Sequence, residues 1–239
     1  MAAALHRPTT TLACVAVTLF ATACGPFPGD LTRPEILGGA VKATESAKSV
    51  TLHTDGISLM VPMKGRVSRD SRGDCTATMS YGAAGTAELI KIDDKDVYLR
   101  RDKTLLRTQE RHRSPEDLKT LLDKLEGRWT RPPLDGPDGP DAPAELALCD
   151  GVNIPTNLEN GWDDDSAKGH PTTIDGRKAL KLVRPGGESE TTVYIAAEGP
   201  PYILKIVTKG GETPGTTTYS HHERPVEAKA PPTEDVVTD

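Results

Sequence analysis

The chain has 239 residues, a formal net charge of −6 and only 4% aromatic residues. The negative balance argues against a nucleic-acid partner, which needs a concentrated basic surface, and the few aromatic residues argue against stacking platforms for bases or sugars. With 22 glycines and 20 prolines, the composition favours a β-rich structure with many turns over a helical bundle.

The N-terminus has the organisation of a secretory signal. A weakly basic start precedes an apolar run over 11–23, shorter than the about 20 apolar residues that span a bilayer. Cys24 follows two small residues in a context that resembles the bacterial lipobox, although Ala21 stands where leucine is commonest. The interpretation is a lipoprotein signal peptide over 1–23, acylation of Cys24 and a lipidated tether over 24–32, which would anchor the protein at the extracytoplasmic face of the cell membrane. The alternative is ordinary secretion with Cys24 as a free or disulfide-bonded thiol.

The first part of the mature chain predicts one helix and then an antiparallel meander. Thr32 is a candidate N-cap for a helix over about 33–48. From Ser49 the hydrophobic period changes to two, with a turn predicted at Asp55-Gly56. The residues then expected to share one face are Ile57, Leu59, Val61, Met63 and Val67. Further strands are predicted over 75–81, 86–92 and 97–100.

Helices and loops follow, and then more strands. Helices are predicted over 103–109 and, from the strong start Ser114-Pro115, to the glycine at 127. The apolar stripe of this second helix is Leu118, Leu121, Leu122 and Leu125. Polar loops over 134–143 and 162–169 flank short helical turns at 144–149 and 154–160. Strands are predicted over 172–174, 177–183, 191–197, 202–209 and 215–222, before a disordered tail over 225–239.

This order of elements predicts an α+β fold. No helical crossover links each strand to the next, so a parallel sheet is disfavoured. The simplest architecture is a single curved antiparallel sheet with the helices packed in its concave face, and this arrangement would leave an apolar cleft.

The cysteines predict one disulfide. Cys14 leaves with the signal peptide and Cys24 takes the lipid, so that Cys75 and Cys149 remain in an oxidising compartment. A disulfide between them would close a long loop. The alternative is two separate buried thiols.

The last third also carries a resemblance to a known family. It lies in Asp175-Gly176-Arg177, Leu180-Lys181-Leu182, Thr192-Val193-Tyr194-Ile195-Ala196 and Gly199-Pro200-Pro201-Tyr202-Ile203-Leu204. With the lipobox, the small first helix and the meander, these residues resemble actinobacterial lipoproteins of the LppX/LprG type, which are similar to the LolA/LolB lipoprotein carriers. The resemblance implies a LolA/LppX-like domain over 33–224, an open half-barrel whose concave side holds acyl chains or an amphipathic ligand.

An open cleft would be lined by the apolar side chains that face it. The candidate ligand-binding residues are Ile57, Leu59, Val61, Met63, Met79, Leu118, Leu121, Leu122 and Leu125. The competing interpretation is that they form an ordinary hydrophobic core. The leading hypothesis is therefore a lipid-binding or lipid-carrying lipoprotein, and the alternative is a packed structural or interaction lipoprotein without a ligand.

Other motifs favour neither catalysis nor a cofactor. The serines lack Gly-x-Ser-x-Gly and Ser-x-x-Lys contexts, so we expect no enzyme, and an envelope hydrolase is the least favoured class. The two histidines of His221-His222 would point to opposite faces of a strand, and Asp163-Asp164-Asp165 lacks the glycine and final glutamate of a calcium loop. No cofactor or metal is expected, and the identity of any protein partner stays open. A basic run could contact anionic lipid headgroups or form a solvated face; it comprises Arg100, Arg101, Lys103, Arg107, Arg111 and Arg113.

Overall fold

The computed structural model describes residues 31–58, 61–132, 144–150, 154, 158, 160–162 and 169–237. Within them lie the helices α1 (Arg33–Glu45), α2 (Lys103–Gln109) and α3 (Pro115–Leu125), and a 3₁₀ segment over Ala144–Cys149. The earlier strands are β1 (Ser49–Ser58), β2 (Val61–Asp70), β3 (Cys75–Ser80), β4 (Thr86–Ile92), β5 (Asp96–Arg101) and β6 (Trp129–Thr130). The later strands are β7 (His170–Ile174), β8 (Arg177–Gly186), β9 (Ser189–Ala196), β10 (Ile203–Gly210), β11 (Gly215–Ser220) and β12 (Val236–Val237).

These strands form one open sheet in the order β12-β6-β5-β4-β3-β2-β1-β11-β10-β9-β8-β7. Neighbouring strands are antiparallel, except that β12 runs parallel to β6. The strands β1 to β5 form one antiparallel meander and β7 to β11 form another. The two meanders join where β1 pairs with β11, with Leu52 opposite Tyr219. The predicted α+β fold with a single curved antiparallel sheet is confirmed.

The main hydrophobic core lies on the concave face of the sheet, where α1 packs. Ile36, Leu37 and Ala40 are buried there against strand residues. The buried hydroxyl of Thr44 donates to the Ala40 carbonyl at 2.7 Å and accepts from the backbone N–H of Ile203 at 2.9 Å. This second bond fixes α1 to the start of β10.

Both predicted helix starts are confirmed. Thr32 and Glu35 form a capping box, in which the Thr32 N–H donates to the Glu35 carboxylate at 2.8 Å and the Glu35 N–H to the Thr32 hydroxyl at 3.4 Å. Ser114 caps α3 by accepting from the Asp117 N–H at 3.1 Å. The first helix ends three residues before the predicted end, because Ser49 is already bound to the His222 carbonyl where β1 begins.

The turn predicted at Asp55-Gly56 is wrong. β1 continues through these residues to Ser58, which lies opposite Val61 at the start of β2. Glycine is needed at 56 because of a close approach between strands: an added Cβ would lie 2.8 Å from the Gly215 Cα. Moving the turn changes the face of Ile57, which now lies opposite Pro62 and on the other side of the sheet from Val61.

The tail over 225–239 was predicted to be disordered, but it packs against the sheet at Val226 and Val236 and is described as far as residue 237. Val226 is buried; its N–H donates to the Asp70 carboxylate at 3.1 Å, and its carbonyl accepts from Arg72 Nη2 at 3.0 Å. Burial by itself would raise the pKa of Asp70, but hydrogen bonds from Arg72 and from the backbone of Val226 outweigh it, so this pKa lies below its usual value. Farther on, Val236 pairs with Trp129 as β12. The tail thus donates a hydrogen bond to the carboxylate of Asp70 and adds Val236 to the sheet beside Trp129.

The predicted disulfide is present. Cys75 at the start of β3 is bonded to Cys149 at the end of the 3₁₀ segment, across a sequence separation of 74 residues. Both cysteines are buried in the main core. The bond holds the 3₁₀ segment over the concave face.

None of the helices in the described part of the chain is long and apolar enough to cross a membrane.

Candidate ligand-binding groove

The predicted ligand-binding side chains do not surround one cavity within the described residues. Met79 is only 1% exposed and belongs to the core. It covers Gly65 on the neighbouring strand, where an added Cβ would lie 1.9 Å from the Met79 sulfur. Leu59 lies outside the described residues. The other candidates divide between the end of the β1–β2 hairpin and the two helices α2 and α3.

The hairpin end forms a small depression. Ile57 and Val61 are 40% and 38% exposed, on opposite faces of the sheet. Ile57 and the half-buried Met63 line a space of about 170 Å³ together with Ile206 and several threonines. This volume is below the roughly 300 Å³ at which small-molecule pockets begin. The depression is therefore too small to hold a lipid by itself.

The helices α2 and α3 form a larger groove, which we call the α2–α3 groove. It has a volume of about 420 Å³, and its lining residues are Lys103, Arg107, Pro115, Leu118, Lys119, Leu122 and Asp123. The floor is apolar, since Leu122 is buried and Leu118 is half-buried. Leu121 and Leu125, the other predicted side chains of this stripe, are half-buried elsewhere on α3.

A local hydrogen-bond network fixes α2 beside the sheet. Asp102 caps the helix by accepting from the Leu105 N–H at 2.7 Å. Its other carboxylate oxygen accepts from the backbone N–H and the hydroxyl of Thr86, both at 2.8 Å. Burial tends to raise the pKa of Asp102, but these bonds outweigh it and lower the pKa. The carboxylate is therefore ionised at neutral pH, and it ties the first turn of α2 to β4.

The rim of the α2–α3 groove is cationic. Lys103 pairs with Glu126 at 2.6 Å, and Lys119 pairs with Asp123 at 2.7 Å. The hydrogen bond between the latter two raises the pKa of Lys119 and lowers that of Asp123. The Arg107 guanidinium has no carboxylate within 4 Å among the described residues. Both lysines are thus paired, and Arg107 remains the rim cation without a carboxylate partner among the described residues, which favours an anionic group beside it.

The predicted basic run does not form one surface. Arg100 lies on the convex face, where it pairs with Glu88 and stacks over the Trp129 ring at 4.7 Å. Arg101 points to the concave face and pairs with Glu145. The run crosses from a strand, whose side chains alternate, into a helix, so that only Lys103 and Arg107 reach the groove. Their spacing of four residues, one helical turn, was the sequence signal that could have identified this rim.

The adjacent histidines also separate, but not by the predicted strand alternation, since both lie beyond the end of β11 and His221 has a positive φ of 56°. His222 is buried and stacks on the Tyr202 ring with centroids 4.1 Å apart. Its burial lowers the pKa of His222 to about 4, so the imidazole is neutral at pH 7. His221 is exposed on the convex side. The described part of the chain contains no group of three or more potential ligands that could hold a metal ion, and Asp163-Asp164-Asp165 lies outside it.

Comparison with known proteins supports the fold. No family model matches the chain, and no curated protein matches its sequence. The solved structure of lipoprotein LppX from Mycobacterium tuberculosis is similar, with a TM-score of 0.50, 15% identity, and coverage of 82% of this chain and 97% of LppX. LprF from Mycobacterium bovis has a TM-score of 0.47 at 16% identity, covering 83% and 96%. MucB in complex with MucA(peri) has a TM-score of 0.34 at 14% identity, covering 85% and 61%. The predicted resemblance to the LppX/LprG type is confirmed for the fold.

Proposed function

We propose that this protein is a membrane-anchored, extracytoplasmic lipoprotein that binds an anionic acylated ligand in the α2–α3 groove. The observation that carries the proposal is an apolar floor with a cationic rim in a space of about 420 Å³. Burial of an acyl chain against Leu118 and Leu122 would supply affinity at roughly 25 cal/mol per Å² before association costs. The rim would select an anionic headgroup. The proposed role is binding, without a chemical step.

The proposed anchor is the acylated Cys24. It follows the predicted signal peptide over 1–23 and begins the predicted tether over 24–32, and the chain up to residue 30 lies outside the described residues. A lipid at Cys24 would keep the domain over 33–224 within reach of the membrane from which it takes its ligand. Stable anchoring needs two or more membrane signals, such as two acyl chains on one cysteine.

The anchor predicts a change of location on substitution. Cys24→Ser should move the protein from the membrane fraction to the soluble extracytoplasmic fraction, because no acyl chain can then be attached. Cell fractionation with immunodetection measures the ratio. Cys14→Ser is the matched control, since Cys14 lies in the apolar run of the signal, and it should stay in the membrane fraction. A Cys24→Ser protein that remains membrane-bound would overturn the anchor.

The groove predicts a preference for charged amphiphiles. In the Cys24→Ser protein, calorimetric titration should show tighter binding of oleate than of oleyl alcohol. Leu118→Gln should weaken oleate binding about tenfold, because loss of the leucine surface that the acyl chain would cover costs about 1.5 kcal/mol. Arg107→Gln should reduce the preference for oleate over the alcohol.

Leu121→Gln is the matched control for the groove, because Leu121 lies on the same helix outside the groove lining. It should bind oleate like the parent protein. Mass spectrometry of lipids extracted from the purified parent should detect an anionic acylated compound. Background lipid alone, together with equal oleate binding by Leu118→Gln and the parent, would contradict the proposed ligand.

A packed interaction lipoprotein is the second candidate. It is favoured by Ile57 and Val61, the large hydrophobic residues that are exposed within the described part of the chain. They would contact a protein partner through the end of the β1–β2 hairpin. Membrane pull-down with the parent and with Val61→Ser would separate the two functions, since only this candidate predicts loss of a captured protein on that substitution.

A further inference from the structure

A second pocket lies on the convex face, on the opposite side of the sheet from α1. It has a volume of about 260 Å³ and forms where the chain after β11 crosses β1, β2 and β3. Its floor is made of hydroxyl side chains and its walls carry basic ones: Thr51, Ser68, Thr76, Arg66, His221 and Arg224. We call it the convex pocket.

The two arginines of the convex pocket have no ion-pair partner among the described residues. Arg66 and Arg224 are exposed, and neither has a carboxylate within 4 Å among the described residues. The pocket's own acid, Glu227, pairs with Lys229 at 3.6 Å instead. An anion that entered the pocket would meet two free guanidinium groups, each of which can donate two parallel hydrogen bonds.

The floor offers further hydrogen-bond donors. The hydroxyls of Thr51 and Ser68 lie 2.9 Å apart, and these residues are 5% and 8% exposed. In that pair one hydroxyl donates to the other, which leaves the second hydrogen free for a ligand. The Thr76 hydroxyl makes no hydrogen bond within the described residues. The floor can thus donate to the oxygens of an anion that the arginines hold.

The wall of the convex pocket is fixed before any ligand arrives. The backbone N–H and carbonyl of Val226 are bound to Asp70 and Arg72. At its other end, the His221 carbonyl accepts from the Ser49 hydroxyl at 2.9 Å, and the His221 Nδ1 lies 2.9 Å from the Ser220 hydroxyl. A preformed wall reduces the ordering cost of binding.

We infer that the convex pocket binds the phosphate group of an anionic ligand. Guanidinium pairs together with hydroxyl donors match the tetrahedral oxygens of phosphate. The phosphate could belong to a phospholipid headgroup or to a soluble phosphate ester. The local field agrees with this site, since burial and then the charges of Arg66 and His221 lower the pKa of His53, which lies opposite Arg66 on β1. This site is separate from the α2–α3 groove and does not depend on it.

The soluble arm of the test uses glycerol 3-phosphate and the full chain with Cys24→Ser. Calorimetry should detect binding, and the double substitution Arg66→Gln with Arg224→Gln should weaken it at least tenfold. NMR titration should show the pKa of His53 rising when glycerol 3-phosphate is present, because the anion offsets the charge of Arg66. This rise is measured in the parent protein, so misfolding of the double variant cannot account for it.

The membrane arm uses vesicles of phosphatidylcholine with and without phosphatidylglycerol. If the parent protein is retained only on vesicles with phosphatidylglycerol and the double variant is not retained, the ligand is a lipid headgroup. If the parent protein binds glycerol 3-phosphate but not these vesicles, the ligand is a soluble ester. Arg111→Gln is the matched control, since this exposed arginine lies outside the pocket. Leu118→Gln should leave both results unchanged, which distinguishes this site from the groove. Equal binding by parent and double variant in both arms, or no binding in either, would overturn the inference.

Discussion

Replacing Cys75 and Cys149 together by alanine is expected to lower the free energy of unfolding by about 4 kcal/mol. The disulfide joins residues that are 74 positions apart, and without it the unfolded chain regains the freedom that the crosslink removes. Both cysteines are buried, so that each alanine also leaves a small unfilled space, which adds to the loss. Denaturant titration in the Cys24→Ser background measures the change.

Reductant provides the control for this prediction. The parent protein should shift toward the stability of the double variant when a thiol reductant is added, whereas the double variant should not respond. Unfolding midpoints that coincide for parent and double variant without reductant would show that the crosslink does not contribute to stability.

Arg101→Met is expected to destabilise the protein by about 3–5 kcal/mol. Arg101 binds Glu145 through two parallel bonds, Nε to Oε1 at 3.0 Å and Nη2 to Oε2 at 2.9 Å. Glu145 is only 3% exposed, so removal of the arginine leaves a buried carboxylate without its counter-charge. The free energy of unfolding, measured by denaturant titration at pH 7, should show the loss.

The pH dependence of the same pair has a defined sign. In the parent protein, burial would raise the pKa of Glu145, but the Arg101 hydrogen bonds and charge outweigh it and hold the pKa below its usual value. The stabilisation is therefore complete above this value and is lost as the pH falls through the lowered pKa. In Arg101→Met the pKa of Glu145 should rise instead, so the deficit relative to the parent should shrink as the pH falls from 7 toward 5.

A double substitution separates the pair from the packing around it. Arg101→Met with Glu145→Met removes both charges, and it should be less destabilised than Arg101→Met alone. If the loss of unfolding free energy in the double variant equals the sum of the losses in Arg101→Met and Glu145→Met, the two side chains are not coupled. Like the disulfide, this pair attaches the 3₁₀ segment to the sheet, so both predictions test how that segment is held over the concave face.

Much of the fold could be predicted because its signals are local. Thr32 and Ser114 start helices because capping depends on a few neighbouring residues. The alternation from Cys75 onward gives β3 the expected buried and exposed faces. The pairing of Cys75 with Cys149 followed from two predictions, that Cys14 leaves with a signal peptide and that Cys24 is acylated. These features hold without knowledge of which strands are neighbours.

The errors occurred where a distant part of the chain decides the structure. Gly56 looks like a turn residue, but its role comes from the close approach of Gly215. The tail looks like a disordered segment, but Val226 satisfies the buried Asp70. The candidate ligand-binding residues shared an apolar pattern, which cannot distinguish a filled core position such as Met79 from a groove position such as Leu118.

The sequence by itself determined the helix starts, the alternation of the strands and the order of elements, because these depend on residues close together in the chain. It also supplied the prediction of an anchor at Cys24. Tertiary structure alone decided which face Ile57 occupies, which cations line the α2–α3 groove, and that Arg66 and Arg224 line one pocket. The physical reason is that strand register and the path of the tail are set by contacts between segments far apart in sequence.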